Sequence, residues 1–186
     1  MRDPKRVGIL ISGRGSNMCA LVDAARNYEV VLVASNKPEA AGLAWARERG
    51  LATWSLESKG TEKLSYDRTL SAALEEHDVG TVALAGFMRI LSPWFVERWA
   101  GRIVNIHPSL LPKYRGLDTH SRAIAAGDAL AGCSVHLVTE ELDAGEVLGQ
   151  TGVPILPGDT PDALERRVLA AEHRLYPEVL NEFVLR

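Results

Sequence analysis

The stretch Val7-Gly8-Ile9-Leu10-Ile11-Ser12-Gly13-Arg14-Gly15-Ser16-Asn17 decides the fold. It opens on an apolar run without polar alternation, the pattern of a strand buried on both faces. Two glycines follow, and Met18, Leu21, Val22 and Ala25 then recur at helical spacing. A strand that passes through a glycine turn straight into a helix is the opening unit of an α/β sheet. Outward from this unit the same alternation continues. The spacing predicts a helix over 16–26, a strand at 30–34, a helix over 39–49 closed by Gly50, and a strand at 52–55. A helix over 62–77, a strand at 81–85, a brief helix opened by Ser92-Pro93, and a strand at 102–106 follow. The chain then reads as a helix over 119–126, strands at 133–138 and 147–153, and a long helix opened by Thr160-Pro161 and reaching 180. Strands separated by helical stretches imply an α/β fold with a mainly parallel seven-stranded sheet and helices on both faces. No helix separates the sixth and seventh strands, so that pair is expected to run antiparallel. No repeat or composition break divides the chain, and 1–186 is read as a single domain.

Composition narrows the function classes. Of the 186 residues, 46% are apolar and 24% charged, enough to bury a core without metals or disulfides. The net charge of −3 offers no general attraction to nucleic acid. Cys19 and Cys133 lack a nearby partner, which excludes a thiolate zinc site and fits a reducing cytoplasm. No histidine pair has metal-ligand spacing beside a carboxylate, so no metal is expected. No leader pattern and no apolar run of membrane-spanning length occur, so no membrane association is expected and the location is read as cytoplasmic.

Four segments carry groups able to do chemistry. The loop of Ser12, Gly13, Arg14, Gly15, Ser16 and Asn17 offers backbone N–H groups at a helix N-terminus, an arrangement that cradles anions. It lacks the lysine of a Walker loop. Met18 stands where a dinucleotide fingerprint needs glycine, and Ser35-Asn36 where it needs an acid. A single phosphate therefore suits it better than a dinucleotide, although a tight turn with Ser16 as helix cap explains it as well. The second segment is Asn105-Ile106-His107-Pro108-Ser109-Leu110-Leu111-Pro112. Strand periodicity puts Asn105 and His107 on one side, at the carboxyl end where open α/β sheets hold ligands. An amide beside an imidazole suits acyl transfer, one holding a developing oxyanion and the other donating a proton. A histidine bonded to a backbone carbonyl is the plainer alternative. In the third segment, Glu140-Glu141-Leu142-Asp143-Ala144-Gly145, Asp143 sits where the loop tightens and could align an imidazole, while Glu140 and Glu141 read equally as a solvated turn. The fourth, Gly86 through Leu91, either lines a slot for a flat heterocycle or packs the core. His136, inside the sixth strand, is expected to face the core or cap the sheet. The stretch 107–118 is long enough for an irregular loop to be functional or mobile.

Taken together, Ile11 to Asn17, Leu84 to Ser92, Asn105 to Pro112, Ser134 to Asp143 and Glu172-His173-Arg174-Leu175-Tyr176-Pro177 resemble the folate-dependent formyltransferase family, and within it the phosphoribosylglycinamide formyltransferases. The likeness runs almost end to end. It implies a Rossmann-like, doubly wound formyltransferase fold, with 10-formyltetrahydrofolate as co-substrate and glycinamide ribonucleotide as formyl acceptor in purine biosynthesis. By position it implies that Gly13, Arg14, Gly15, Ser16 and Asn17 hold the ribonucleotide phosphate and Glu172 the amine end. Lys63, Met88, Arg89, Ile90, Leu91, Asn105, Glu140, Glu141, Leu142 and Asp143 would meet the folate. Asn105, His107 and Asp143 would be the catalytic set. Members of the family often carry arginine where Lys63 stands, and lysine lacks the bidentate fork. Arg14, Lys63, Arg89, Lys113 and Arg115 are candidates for meeting the anionic groups of both substrates. Methionyl-tRNA formyltransferases share the Ser-Leu-Leu-Pro segment but need a second, basic domain. Formyltetrahydrofolate hydrolases usually carry an N-terminal regulatory domain, and a silent nucleotide-binding module would have no use for the triad. Monomer and homodimer both remain open.

Overall fold

A computed structural model describes residues 2–186. Its strands are β1 (Arg6–Ile11), β2 (Glu29–Ser35), β3 (Thr53–Ser55), β4 (Thr81–Leu84), β5 (Ile103–His107), β6 (Leu130–Leu137) and β7 (Val147–Pro154). They form one seven-stranded sheet in the order β3-β2-β1-β4-β5-β6-β7. The helices are α1 (Ser16–Asp23), α2 (Ala41–Glu48), α3 (Lys63–Glu76), α4 (Pro93–Arg98), α5 (Thr119–Ala125) and α6 (Pro161–Phe183). This is the open α/β architecture that the strand–helix alternation implied, in the Rossmann-like form that the family resemblance implied.

β1 pairs in parallel with β2 on one side and β4 on the other, so its apolar run is buried on both faces. Gly8 admits α3 closely, since a Cβ there would lie 2.9 Å from Leu74 Cδ2. Two cores result. On one face, Val7, Ile9 and Ile11 pack with Met18 and Leu21 of α1, Leu43 of α2, Ala123 of α5 and Leu164, Val168 and Tyr176 of α6. On the other, Leu10, Leu32 and Leu84 pack with Tyr66, Leu70 and Leu74 of α3 and Phe95, Val96 and Trp99 of α4. From β1 the chain adds β2 and β3 on one side, then crosses to add β4 on the other. Open α/β sheets bind ligands outside the strand ends at such a reversal.

The strand directions differ in one respect from the expected pattern. β6 is antiparallel to β5 as well as to β7, although α5 lies between β5 and β6. A parallel crossover must carry the chain back along the whole sheet. Here Leu111 N–H bonds to Ser134 Oγ (3.0 Å), and the chain enters β6 at the end where β5 finished, with His107 opposite Ser134. Helix α1 also stops at Asp23 rather than at 26, because Asn181 of α6 captures the next free backbone groups. Its Oδ1 accepts the N–H of Arg26 and of Asn27, each at 2.9 Å. α6 itself runs through Pro177 to Phe183, beyond the expected end at 180.

Candidate active site

Strand alternation builds the floor. Val104 and Ile106 of β5, with Cys133 and Val135 of β6, face the core under α6. Ile103 faces the opposite core. Asn105 and His107 continue the Ile103 face, as do Ser134 and His136 across the ladder, in a region α3 and α4 do not reach. Asn105 pairs with His136, and His107 with Ser134. Residues directly opposite on neighbouring strands project to one face. The Asn105 amide Nδ2 lies 3.2 Å from His136 Nε2. His136 Nδ1 lies 2.8 Å from its neighbour's carbonyl, Leu137 O. A carbonyl only accepts, so Nδ1 carries the proton. Burial holds the imidazole below its ordinary pKa despite the Leu137 bond and the Asp143 charge. Nε2 is therefore a lone pair that accepts Nδ2–H of Asn105, which fixes the direction of the amide. His136 is buried, as expected of a residue inside the sixth strand, and its ring edge also joins Asn105.

Asp143 reaches this floor from the β6–β7 connection. Its Oδ2 stands 3.4 Å from His107 Nδ1 and accepts Gly116 N–H at 3.0 Å. Its Oδ1 is 3.6 Å from His136 Nε2, a separation that would be an ion pair only with His136 protonated. The Asn105 bond and the burial of His136 both argue for the neutral ring. Asp143 has φ 50, a left-handed backbone that costs a non-glycine residue energy and is retained where surrounding contacts demand it. His107 Nε2 donates to Tyr114 O at 2.9 Å, so both its ring nitrogens face acceptors. The histidine–carbonyl bond foreseen as an alternative is present, together with the carboxylate.

The glycine loop leaves β1 at Ser12. Gly15, with φ 73, turns the chain into α1, and its backbone shape is one that glycine adopts without strain. Gly42, at the start of α2, donates N–H to Gly13 O at 3.1 Å. A Cβ there would meet Ile11 Cδ1 at 2.5 Å, so the loop lies directly on α2. Gly13, Arg14 and Ser16 are exposed, whereas Asn17 is buried and donates from Nδ2 to Glu172 Oε2 at 2.7 Å. This bond ties α1 to α6 and brings together the two groups read as ribonucleotide contacts. Burial raises the Glu172 pKa, partly offset by the Asn17 bond.

At the strand reversal the segment after β4 lies beside the glycine loop. Ser12 N–H donates to Gly86 O (3.1 Å), and Ser12 Oγ accepts Met88 N–H (2.7 Å). Met88 and Ile90 are 76% and 70% exposed, while Arg89 is mostly covered and Leu91 buried. The segment thus presents alternate apolar side chains outward, between the glycine loop and β5. Lys63 opens α3 and is exposed.

Loop 108–118 roofs the floor, and its charges are spent within the protein. Lys113 Nζ pairs with Asp128 (3.0 Å), Tyr114 Oη donates to Asp128 Oδ2 (2.8 Å), and Arg115 Nη1 bonds Glu141 Oε1 (2.6 Å). Lys113 and Arg115, named above as candidates for meeting substrate anions, are here each paired with a carboxylate of the protein. Among the described residues Arg14 and Lys63 make no ion pair. Glu140 and Leu142 are exposed beside Asp143. Ser134, which sequence reasoning passed over, anchors the roof: it donates to Ser109 O (2.6 Å) and accepts Leu111 N–H and Gln150 Nε2. Among the described residues no group of histidine, cysteine, aspartate and glutamate could hold a metal ion, and no helix is long and apolar enough to cross a membrane.

An open sheet with an amide, two imidazoles and a carboxylate at one strand end suits acyl-group transfer. Comparison with known proteins gives the class: residues 5–180 match the formyl transferase family model, and the chain belongs to the formyl transferase family. Among its relatives, phosphoribosylglycinamide formyltransferase of Escherichia coli (strain K12) is 47% identical over 180 residues, covering 94% of this chain and 85% of that one. The trifunctional purine biosynthetic protein adenosine-3 of Drosophila melanogaster is 46% identical over 97% of this chain, which spans 14% of that protein. The crystal structure of phosphoribosylglycinamide formyltransferase from Brucella melitensis has a TM-score of 0.92 at 50% identity, covering 98% of this chain and 96% of that one. The Anaplasma phagocytophilum structure of the same name has a TM-score of 0.91 at 44% identity, with coverages of 97% and 87%.

Proposed function

We propose that this enzyme transfers the formyl group of 10-formyltetrahydrofolate to the amine of 5-phosphoribosylglycinamide, a step of purine biosynthesis. The observation that supports the reading is that Asp143 reaches His107 and, through His136, stands beside Asn105 at the end of β5, with the Asn17–Glu172 bond joining the glycine loop to α6. The names of the relatives support the choice of acceptor. Residues 1–186 act as one domain, working in the cytoplasm.

In this mechanism the acceptor amine attacks the formyl carbon. The new C–N bond forms as the carbonyl electron pair moves onto oxygen. Asn105, its amide direction set by His136, donates Nδ2–H to that oxyanion. His107, aligned by Asp143, donates a proton toward the folate nitrogen, which leaves with the electron pair of the broken C–N bond. The proton lost by the amine passes to solvent or to Asp143. Gly13, Arg14, Gly15, Ser16 and Asn17 hold the phosphate through backbone N–H groups and the α1 terminus, and Glu172 receives the amine end. Met88, Arg89, Ile90 and Leu91 flank the pterin on one side, and Glu140, Glu141 and Leu142 on the other, with Lys63 toward the folate's acidic tail. His107 Nε2 is held by Tyr114 O until substrate takes its place, so loop 113–116 must shift during turnover.

The test is to incubate the protein with 10-formyltetrahydrofolate, with and without glycinamide ribonucleotide, and follow deformylated folate. Turnover only with the ribonucleotide is expected. Equal turnover without it would make the protein a hydrolase, and none with either would end the reading.

A further inference from the structure

Asp67 is a fully buried carboxylate on α3 that the mechanism above does not use. A buried carboxylate is retained only when its surroundings need its charge or its acceptors. Asp67 Oδ2 accepts Ser92 N–H at 2.6 Å. Its Oδ1 faces Arg89 Nε at 3.9 Å, and the Arg89 guanidinium lies over the Tyr66 ring, 4.4 Å from the centroid. Asp67 Oδ1 and Arg89 Nε and Nη2 are buried without a hydrogen-bond partner, so charge attraction between the two groups, with the Tyr66 ring beside Arg89, compensates these atoms. At the other end of the same segment, Ser12 Oγ accepts Met88 N–H at 2.7 Å and donates to Asn36 Oδ1. Residues 88–92 are thus pinned at both ends by buried side-chain oxygens and drawn inward at Arg89. That inward pull is what turns Met88 and Ile90 outward, 76% and 70% exposed.

We infer that Asp67 is a positioning residue for the formyl donor: through Ser92 N–H and Arg89 it fixes residues 88–91 in the shape that receives the flat heterocycle before any ligand arrives. The inference rests on the reading that this edge flanks the folate. Ordering a mobile segment on binding weakens affinity, and an edge ordered beforehand avoids that loss. Asp67→Asn keeps the volume and an oxygen for Ser92 N–H but removes the charge that holds Arg89. Its dissociation constant for tetrahydrofolate and its KM for 10-formyltetrahydrofolate should each rise about tenfold. The kcat at saturating donor and the KM for the ribonucleotide should stay near wild type. Hydrogen–deuterium exchange should quicken in the peptide spanning 88–92 and not elsewhere.

A fall in kcat with unchanged donor affinity, or equal losses toward both substrates, would overturn the inference. Wild-type protein that fails to bind tetrahydrofolate removes the functional reading and this inference together. Wild-type binding with unaltered Asp67→Asn binding removes this inference alone. Should the variant not fold, exchange in the wild-type enzyme decides: the amides of Met88 and Ser92 must be protected without ligand, and protection that appears only on adding tetrahydrofolate refutes it.

Discussion

His136→Phe tests how Asn105, the proposed oxyanion donor, is aimed. Phenylalanine fills much the same space as the imidazole but offers no lone pair to Asn105 Nδ2 and no donor to Leu137 O, bonds of 3.2 and 2.8 Å in the native protein. Each buried hydrogen bond contributes about 1 kcal/mol net, and a group left without a partner costs more, so stability should fall by about 2–4 kcal/mol, less what the more apolar ring regains. For a chain of this size that corresponds to a Tm decrease of roughly 4–16 °C. Freed from His136, the Asn105 amide rotates between two orientations, and in one of them its oxygen faces the oxyanion. If both were equally populated the rate would merely halve. Complete loss of an oxyanion donor costs about 10²–10³. With no lone pair left to hold Nδ2–H, a reversed amide favoured by about 1.4–2.8 kcal/mol lowers kcat about 10- to 100-fold, within the limit set by complete loss. Steady-state kinetics with both substrates saturating, alongside a circular dichroism melt, measures both quantities. A folded variant with kcat within about threefold of wild type would show that the amide does not settle in the reversed orientation without His136, and would refute the idea that His136 aims it.

Removing the donors themselves should be costlier: Asn105→Ala and His107→Ala are each expected to lose at least about 10² in kcat with the far-ultraviolet spectrum unchanged, and near-native turnover in either would remove that residue from the mechanism. Glu172→Gln should raise the melting temperature by a few degrees at pH 7, because burial disfavours the charged carboxylate, and should raise KM for the ribonucleotide; a lowered melting temperature would contradict the burial argument. Burial lowers the pKa of His120, His136 and His173 below the ordinary 6.5. The unfolded chain therefore binds protons that the folded one resists, so this contribution to stability is complete above pH 6.5 and is lost as pH falls through the folded values. The raised Glu172 pKa acts in the opposite sense, its cost easing as the pH drops, so Glu172→Gln should steepen the acid loss seen in melts between neutral and mildly acidic buffers. Equal slopes would mean that Glu172 does not titrate with folding.

Much of the fold was legible because β1 and the glycine turn have a single reading: a run buried on both faces needs parallel neighbours, and parallel neighbours need crossovers. Asn105 and His107 were legible together because period two is a local property of the chain. The approach of Asp143 to His107 was not, since it depends on how a loop 36 positions later folds back, and only the family resemblance anticipated it. The contact of His136 with Asn105 went unforeseen for a related reason. Its partnership with Asn105 is a matter of cross-strand register, and register follows from β6 running opposite to β5, which the intervening helix argued against. A local signal did exist. In β6, Ser134 and His136 alternate with buried Cys133 and Val135, a polar pair on one face of an otherwise apolar strand. The end of α1 was lost to a distant side chain, Asn181, that no window around residue 26 contains.

The reversal of β6 has an outcome for how such an enzyme can change. Asn105 and His136 are rungs of one ladder whose reverse side is the main core, with Val104 and Val135 beneath. The reacting groups therefore cannot drift without disturbing the interior, whereas 108–118 and 138–146 are connections hung over them by a few polar ties. Asp143 hangs from the second of these connections, so the alignment of His107 can be altered by rewriting a loop, while the pairing of Asn105 with His136 is held by the interior.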